Sequence, residues 1–501
     1  MSSQQKLKAN MISSLVLQIT VFISGIILPR LFIECYGSRV NGLISSIQQF
    51  LGFITLGEMG IGAVIQFNLY KPLSEKNWNE ISAIVTSANR FFNKLLKCIL
   101  IYIAILAVCL PIKVLSQFSY LYTCTLVISI SISYIMQYYF GMTYRQLLDA
   151  DQISFVRIIP QIVQIIINLI VCVLLIQSKV SIQVVKMITS ILYSIQPVVI
   201  YIYCKKKYPR VDNKIHLDDE PIKQKWNGIA QHIASVVLKD TDVVVLTLCS
   251  TLENVSIYAV YNLVINGIEI IIESVINNFT AYFGELFAKS RTLELKNKFC
   301  EFESVYHVIL TIIFFCIGRL IVPFVSVYTY GINDANYIVP VFALILTIAQ
   351  WLYCARLPYH IMIKAAGHYR ETQNSAFIEA GLNVLISITT VYVWGIVGVA
   401  LGTAVAMLYR SVYYWIYLRK NILVRPLKRV LFIYGRDCII VLISYVFTIK
   451  MSLQECTYFS WFALAFMVFV TTTVVATVVF LLTDLQRTRV IIRSIHQHLR
   501  H

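Results

Sequence analysis

Charged residues are scarce in this sequence, and their scarcity excludes an ordinary soluble protein. Asp, Glu, Lys and Arg make up 13% of the 501 residues, and apolar residues make up 58%, whereas roughly a quarter of a soluble domain is charged. Apolar runs of about 18 residues or more, each long enough to cross a hydrocarbon core, recur along the whole chain. We therefore expect an all-α integral membrane protein.

Motifs for catalysis and for metal binding are also missing. The sequence has no G-x-S-x-G, H-E-x-x-H or G-x-x-x-x-G-K-[ST] pattern, and none of its twelve cysteines forms a C-x-x-C pair. We therefore expect no enzyme activity, no metal, no cofactor and no disulfide framework. The net charge of +17 is compatible with nucleic-acid binding. However, no basic stretch outside the apolar runs is interleaved with stacking aromatic residues, so nucleic acid is not an expected partner.

The apolar runs predict about fourteen transmembrane helices. The first run follows Lys6 and Lys8, is long and lacks a small-residue cleavage site. We therefore interpret it as an uncleaved transmembrane helix rather than as a signal peptide. The predicted spans lie near residues 11–31, 42–66, 96–116, 119–140, 155–176, 183–203, 228–249, 256–282, 306–328, 338–359, 375–393, 396–417, 431–449 and 460–482.

Basic residues alternate between the two sides of these spans. With a cytoplasmic N-terminus, the cytoplasmic segments carry 32 Lys and Arg residues and the short outer loops carry six. The positive-inside rule demands this asymmetry of a fourteen-span chain whose two termini are both cytoplasmic. A multi-pass protein of the cytoplasmic membrane is therefore predicted.

One polar stretch divides the chain. Residues 205–226 contain Pro209 and Pro221 and lack apolar periodicity, which is typical of a linker. We predict two six-helix lobes, at 1–203 and 227–420, around a central cavity and joined by a cytoplasmic linker at 204–226. Helices thirteen and fourteen and a cytoplasmic tail follow at 421–501. Mixed polar and apolar residues at 77–94 predict a separate interfacial amphipathic helix.

Ionisable side chains inside the predicted spans are the candidate functional residues. Each costs at least ~2.5 kcal/mol at the bilayer centre, so it normally faces a partner or a watery cavity. The basic candidates are Lys239, Arg319, Arg356 and Arg410, with Arg30 at the outer end of helix one, and the acidic candidates are Glu58, Asp240, Asp242, Glu269, Glu273 and Glu379.

These candidates allow two interpretations. The basic groups suit an anionic headgroup in a cavity, with the acids as their partners or as ligands of a coupling ion. Alternatively, the set forms internal salt bridges that hold the lobes together. In the KDTD cluster at 239–242, Asp240 and Asp242 are about 160° apart around the helix axis, so its charges cannot share one face. Glycines at 57, 60 and 62, around Glu58, indicate close helix packing or a break in the second helix.

Three stretches of the chain resemble a known family. They are residues 28–73, beginning LPRLFIECYGSRVNG, residues 238–264, LKDTDVVVLTLCSTLENVSIYAVYNLV, and residues 365–420, beginning AAGHYRETQNSAFIEAGLNVL. Over essentially its whole length the chain resembles the Wzx-type polysaccharide flippases of the multidrug/oligosaccharidyl-lipid/polysaccharide exporter superfamily.

The resemblance implies a flippase that works by alternating access. It would move an undecaprenyl-diphosphate-linked oligosaccharide repeat unit from the inner to the outer leaflet of the bacterial cytoplasmic (inner) membrane, for export of O-antigen or capsule. The resemblance further implies a partly cationic cavity, for which Lys239, Arg319, Arg356 and Arg410 are candidates. Membrane lipids, a polysaccharide polymerase and assembly proteins are the partners that it implies.

Two other functions remain open. A cation-coupled exporter of drugs or metabolites from the same superfamily would need a mainly acidic cavity, and the basic residues within the spans argue against one. A membrane polysaccharide polymerase or glycosyltransferase is expected to have a long outer loop or an acidic pair in the first one. Here the first outer loop holds Glu34 alone.

Overall fold

The described part of the chain is all-helical. The computed structural model describes residues 3–58, 60–211, 241–289, 292–368 and 370–483, and these residues form helices and connections with no β-strand among them. Contacts divide the chain into two compact units, Met1–Ser256 and Ile257–His501, which we call unit 1 and unit 2. The predicted fold class, an all-α integral membrane protein, is confirmed.

Unit 1 is a bundle of long apolar helices with a core of buried Leu, Ile and Val side chains. Helix α1 packs on α7, and α5 packs on α4 and α8. The helices are α1 (Ser3–Tyr36), α2 (Ser38–Gly52), a 3-10 segment (Phe53–Glu58), α3 (Ile61–Glu75), α4 (Trp78–Lys113), α5 (Tyr120–Met136), a π-helical segment (Gln137–Gly141), α6 (Met142–Ala150), α7 (Phe155–Gln177), α8 (Ile182–Lys207) and the helical residues 241–249, called α9.

Unit 2 is also a bundle of long apolar helices. Helix α16 packs on α15 and α13, while α12 packs on α13, α17 and α18. After α10 (Leu252–Asn277), which begins in unit 1, the helices are α11 (Phe279–Ala288), α12 (Thr292–Tyr328), α13 (Pro340–Ala355), α14 (Leu357–Ala365), α15 (Gln373–Trp394), α16 (Ile396–Asn421), α17 (Leu427–Thr448) and α18 (Tyr458–Thr483).

The membrane spans match the predicted ones in order. Within the described residues, twelve helices are long and apolar enough to cross a membrane, and the bent pair α2–α3 makes a thirteenth. The predicted span at 228–249 begins outside the described residues, and its last part, 241–249, is helical. The predicted linker at 204–226 also lies mostly outside them, and the lobe boundaries stay predictions.

The second span is broken where the sequence has its glycines. The 3-10 segment ends at Glu58, Gly60 has a φ of 71°, and α3 continues at an angle of 44°. A left-handed φ of this kind favours glycine because it carries no Cβ. A Cβ at Gly62 would lie 2.7 Å from the Gln146 side chain. The glycines therefore serve both a break and close packing.

The prediction of a separate interfacial helix at 77–94 is wrong. Residues 78–94 are the first half of α4, which continues to Lys113 without a break. Asn77 caps its start by accepting a hydrogen bond from the backbone N–H of Glu80, at 3.3 Å. Ile81, Ile84 and Phe92 are buried in unit 1. The apolar stripe that suggested a membrane surface is buried against protein instead.

Two basic residues assigned to connections lie within helices. Lys186, counted with an outer loop, is buried on α8 with its Nζ 4.0 Å from the ring centroid of Phe32. Arg436, counted with a cytoplasmic segment, is buried on α17. Lys186 lies about one turn from the start of α8, and Arg436 about two and a half turns from the start of α17. Both positions fall within the predicted spans 183–203 and 431–449.

Helices α15 and α16 form a very tight hairpin. Gly395, with a φ of 55°, is the whole connection between them. Gly398 and Gly402 form a G-x-x-x-G pair on α16, a spacing that lets helix backbones approach closely in membranes. Asn383 on α15 donates to the Thr403 hydroxyl at 2.9 Å. The hairpin thereby positions the polar residues of both helices.

Replacing Gly402 by alanine is expected to cost about 1–3 kcal/mol in the free energy of unfolding. A Cβ there would lie 2.8 Å from the Ser387 backbone nitrogen and 3.0 Å from the Asn383 carbonyl oxygen, so the two helices would have to separate. The matched control is Gly381→Ala on α15, where a Cβ meets open space. Equal thermal midpoints for the two variants in detergent would contradict this account of the hairpin.

The topology prediction is tested by reporter fusions. A fusion within 205–226 and a fusion at the C-terminus are both expected to report a cytoplasmic location, because segments rich in Lys and Arg stay on the cytoplasmic side of the membrane. A fusion within 331–337, between α12 and α13, is the outward control. A periplasmic signal from either of the first two would overturn the topology.

Candidate functional site

Three of the candidate residues meet in unit 2 around one carboxylate. Glu379 on α15 accepts hydrogen bonds from Arg356 and Arg410, one on each carboxylate oxygen. The Arg410–Glu379 distance is 2.6 Å, and all three side chains are buried. Arg410 also donates to the Tyr414 hydroxyl at 2.6 Å. Such charge-assisted bonds are stronger than neutral ones.

The position of Arg356 follows from a break in its span. Arg356 lies at the junction of α13 and α14, where Pro358 supplies no N–H to the helical ladder. Its guanidinium lies 4.7 Å from the ring centroid of Tyr353. The Tyr353 hydroxyl in turn donates to Glu273 on α10. The junction therefore links α10, α13 and α15 through polar groups.

The cluster as a whole is balanced in charge. Glu269, one turn before Glu273, is buried and interacts electrostatically with Tyr353, and Lys364 interacts in the same way with Glu273. Arg356, Arg410 and Lys364 thus lie in the same region as Glu269, Glu273 and Glu379. Glu269 and Glu273 are four residues apart on one helix and repel each other, and Lys364 offsets part of this repulsion. The sequence indicated the residues, and the structure adds their pairing.

Two of the candidates in unit 1 pair with neighbouring side chains. Glu58, at the break in the second span, accepts a hydrogen bond from Tyr138 at 2.6 Å. Arg30 pairs with Glu34 on the next turn of α1, at 3.5 Å. Asp242 is buried on α9. Lys239 and Asp240 lie outside the described residues, and the arrangement of the KDTD cluster stays a prediction.

Arg319 has a different setting from the other basic candidates. Its guanidinium donates to the carbonyl oxygens of Thr448 and Met451, at 2.8 and 3.2 Å. Thr448 is the last residue of α17, and helix ends carry carbonyl groups without helical partners. These bonds give Arg319 a part in holding the end of α17. Its place in a cavity stays a prediction.

A second buried polar network joins α12 to α17 and the residues before it. Glu303 accepts from Arg425 at 2.6 Å, and Arg436 donates to the Ser304 hydroxyl at 2.9 Å. The Nδ1 atom of His307 lies 2.8 Å from the Oδ2 atom of Asp437. Although burial alone would lower it, the pKa of Arg425 is raised above its usual value by Glu303.

Part of this network satisfies the criterion used for the candidates. Arg436 and Asp437 fall inside the predicted span 431–449, and His307 falls inside 306–328. The charge count places Arg436 in the preceding cytoplasmic segment, although the predicted span 431–449 also contains it. Glu303 and Arg425 could not be found in this way, since α12 begins well before the apolar run that predicts it.

No protein-family model and no curated protein sequence matches this chain. Its fold, however, is that of a class of multi-helix membrane transporters. The structure titled lipid II flippase MurJ, inward closed conformation, superposes with a TM-score of 0.69 at 13% sequence identity, covering 96% of this chain and 100% of that one.

Two other solved structures share the fold. An inward-facing multidrug resistance MATE family transporter of the MOP superfamily gives a TM-score of 0.63 at 12% identity and covers 80% of this chain and 93% of its own. A eukaryotic MATE transporter gives 0.50 at 10% identity, covering 86% and 100%. At such identities the shared property is the fold, which extends over most of the chain.

Proposed function

We propose that this protein is a flippase for a lipid-linked oligosaccharide. It moves a polyprenyl-diphosphate-linked repeat unit from the inner to the outer leaflet of the bacterial cytoplasmic membrane by alternating access, and so serves cell-surface polysaccharide export. The observation that carries the proposal is the shared fold with a lipid II flippase over 96% of this chain. The resemblance of residues 28–73, 238–264 and 365–420 to polysaccharide flippases points the same way.

The buried arginines support this substrate class. A diphosphate needs cationic groups along any path through a low-dielectric region, and arginine binds phosphate oxygens in a bidentate manner. Arg356 and Arg410 share the single carboxylate of Glu379, and Nε of Arg410 has no acceptor among the described residues. An arriving diphosphate would take one arginine while the other keeps Glu379.

The cluster around Glu379 has no excess of positive charge, because three carboxylates lie near its three cations. An arriving diphosphate would therefore replace a carboxylate as the partner of an arginine. We propose that Lys239 and Arg30 supply further cationic groups along the path, with Glu58, Asp240 and Asp242 as their partners or as ligands of a coupling ion.

The proposal is tested by depleting the protein in its own host. The lipid-linked oligosaccharide should then accumulate where a membrane-impermeant glycosidase added to intact spheroplasts cannot reach it, and re-expression should restore the reach of the enzyme. If outer-leaflet levels stay normal after depletion, the protein is not the flippase. Sensitivity to cationic drugs in the same cells would indicate the exporter function of the MATE-like alternative.

A further inference from the structure

A cationic pocket lies in unit 2 beside the first turn of α17. Its volume is about 320 Å³. From α12 it is lined by Lys296, Cys300 and Glu301, and from the connection after α16 and the start of α17 by Arg425, Pro426 and Arg429. The proposed transport function uses none of these residues.

The pocket has a surplus of positive charge. Segments 294–303 and 425–429 carry five basic and three acidic residues, a net charge of +2. The acid in the lining, Glu301, is paired with Lys298 at 3.3 Å. Behind the lining, Glu303 bonds Arg425 at 2.6 Å and lies 3.8 Å from Arg429. The acids near the pocket therefore already have cationic partners.

Both arginines have side-chain N–H groups that are not used in hydrogen bonds with the described residues. Nε and Nη2 of Arg425 and Nε of Arg429 have no hydrogen-bond acceptor among the described residues. Arg425 is 3% exposed, and it lies against Phe299 and Tyr359, 5.2 and 5.5 Å from their ring centroids. A buried arginine held on one side by a carboxylate and by aromatic rings is pre-organised to bind an anion.

The position of the pocket suits a membrane surface. Helix α17 begins at Leu427, and the N-terminus of a helix favours an anion. The apolar part of α17 follows directly. Segments 289–298 and 419–436 both lie on the side that the positive-inside rule predicts to be cytoplasmic. Basic pockets between transmembrane helices on that side are where anionic headgroups bind.

We propose that this pocket binds a phosphate group at the cytoplasmic membrane surface, with Lys296, Arg425 and Arg429 as its ligands. The headgroup of an anionic phospholipid and soluble inorganic phosphate share this chemistry. Glu303 holds Arg425 in place, and the first turn of α17 completes the positive surroundings. The site stands whether or not the protein proves to be a flippase, because the proposed transport function uses none of its residues.

The test uses the full chain in phosphatidylcholine nanodiscs. Thermal midpoints are measured with an increasing fraction of phosphatidylglycerol and, separately, with inorganic phosphate. Phosphatidylglycerol is expected to raise the midpoint of the unaltered protein. In the Lys296→Gln/Arg429→Gln variant the half-saturating fraction should rise about thirtyfold or more, since direct hydrogen bonds to the phosphate are lost in addition to a surface attraction of ~1 kcal/mol per basic residue. Arg425 is left in place because its loss would strand Glu303.

The control variant is Lys420→Gln/Lys428→Gln. It loses the same charge from two exposed positions of segment 419–436, and neither residue lines the pocket. Because it loses surface attraction but no direct hydrogen bond to the phosphate, its half-saturating fraction should rise at least about threefold less than that of the pocket variant. Equal weakening in both variants would show a general surface-charge effect and overturn the site. So would the absence of any response to lipid and to phosphate in the unaltered protein.

The two titrations, with phosphatidylglycerol and with inorganic phosphate, distinguish a lipid headgroup from the soluble ion as the source of the phosphate. A response to phosphatidylglycerol alone, lost in the pocket variant, assigns the site to a headgroup. A response to inorganic phosphate alone, lost in the same variant, assigns it to the soluble ion. If the double variant fails to fold, Lys296→Gln alone, which breaks no buried ion pair, should still weaken the response, and an unchanged response would overturn the site.

Discussion

Replacement of Glu379 by glutamine is expected to reduce the free energy of unfolding by about 3–5 kcal/mol. Glu379 is 2% exposed and accepts a hydrogen bond from an arginine on each of its carboxylate oxygens. Glutamine preserves the size of the side chain but removes the charge, so Arg356 and Arg410 are left buried without the carboxylate that they share. The measurement is the yield of monodisperse protein after detergent extraction, together with its thermal midpoint.

Two variants make this prediction specific. Glu285→Gln removes an acid that pairs with Lys289 on the exposed side of α11 and should change the midpoint little, because exposed ion pairs contribute about 0–1 kcal/mol. Combining Glu379→Gln with Arg356→Met and Arg410→Met should recover most of the lost stability, since neither arginine is then left buried without its carboxylate. A Glu379→Gln protein as stable as the unaltered one would refute the account of this cluster.

Replacement of Arg410 by glutamine is expected to lower export about tenfold or more at matched protein level, because a hydrogen bond to a charged group contributes about 1.5–3 kcal/mol. Arg356 remains to pair with Glu379 in this variant, so the protein should still fold. What disappears is the arginine that the diphosphate would take. The readout is the lipid-linked oligosaccharide in the outer leaflet, divided by the amount of protein.

Arg319→Gln is the matched comparison for this experiment. It removes the same side chain from another span, but there the guanidinium bonds the carbonyl oxygens at the end of α17. If Arg319 only holds that helix end, the variant lowers the thermal midpoint and leaves export per molecule near that of the unaltered protein. If Arg319 also lines the predicted cavity, export per molecule falls as well. If Arg410→Gln exports normally while Arg319→Gln does not, the arginine cluster around Glu379 is scaffold and the site lies elsewhere.

The positions of the spans could be predicted from the sequence because a bilayer sets the length of each apolar run. The break in the second span was also foreseeable, since the glycines at 57, 60 and 62 mark it. The full lengths of α4 and α12 were not, because their polar first halves extend beyond the apolar runs that predict a span. Hydropathy does not register a helix that continues outside the bilayer.

The pairing of the intramembrane charges could not be predicted. Glu379 lies 23 residues from Arg356 and 31 from Arg410, so its partners lie on two other helices. An apolar run gives the length of a helix but not its rotation about its own axis, which packing against neighbouring helices determines. For the same reason Arg319 and Arg410 looked equivalent in the sequence, although one bonds a helix end and the other a carboxylate.

The network between α12 and α17 has a consequence for the assembly of the protein during synthesis. Arg436 and Asp437 must enter the bilayer with α17, and their partners Ser304 and His307 precede them by 132 and 130 residues. The ribosome therefore delivers α12 first, and α17 leaves the translocon with partners for its charges already in the membrane. We expect a circularly permuted gene that encodes α17 ahead of α12 to give a nascent chain in which α17 inserts poorly.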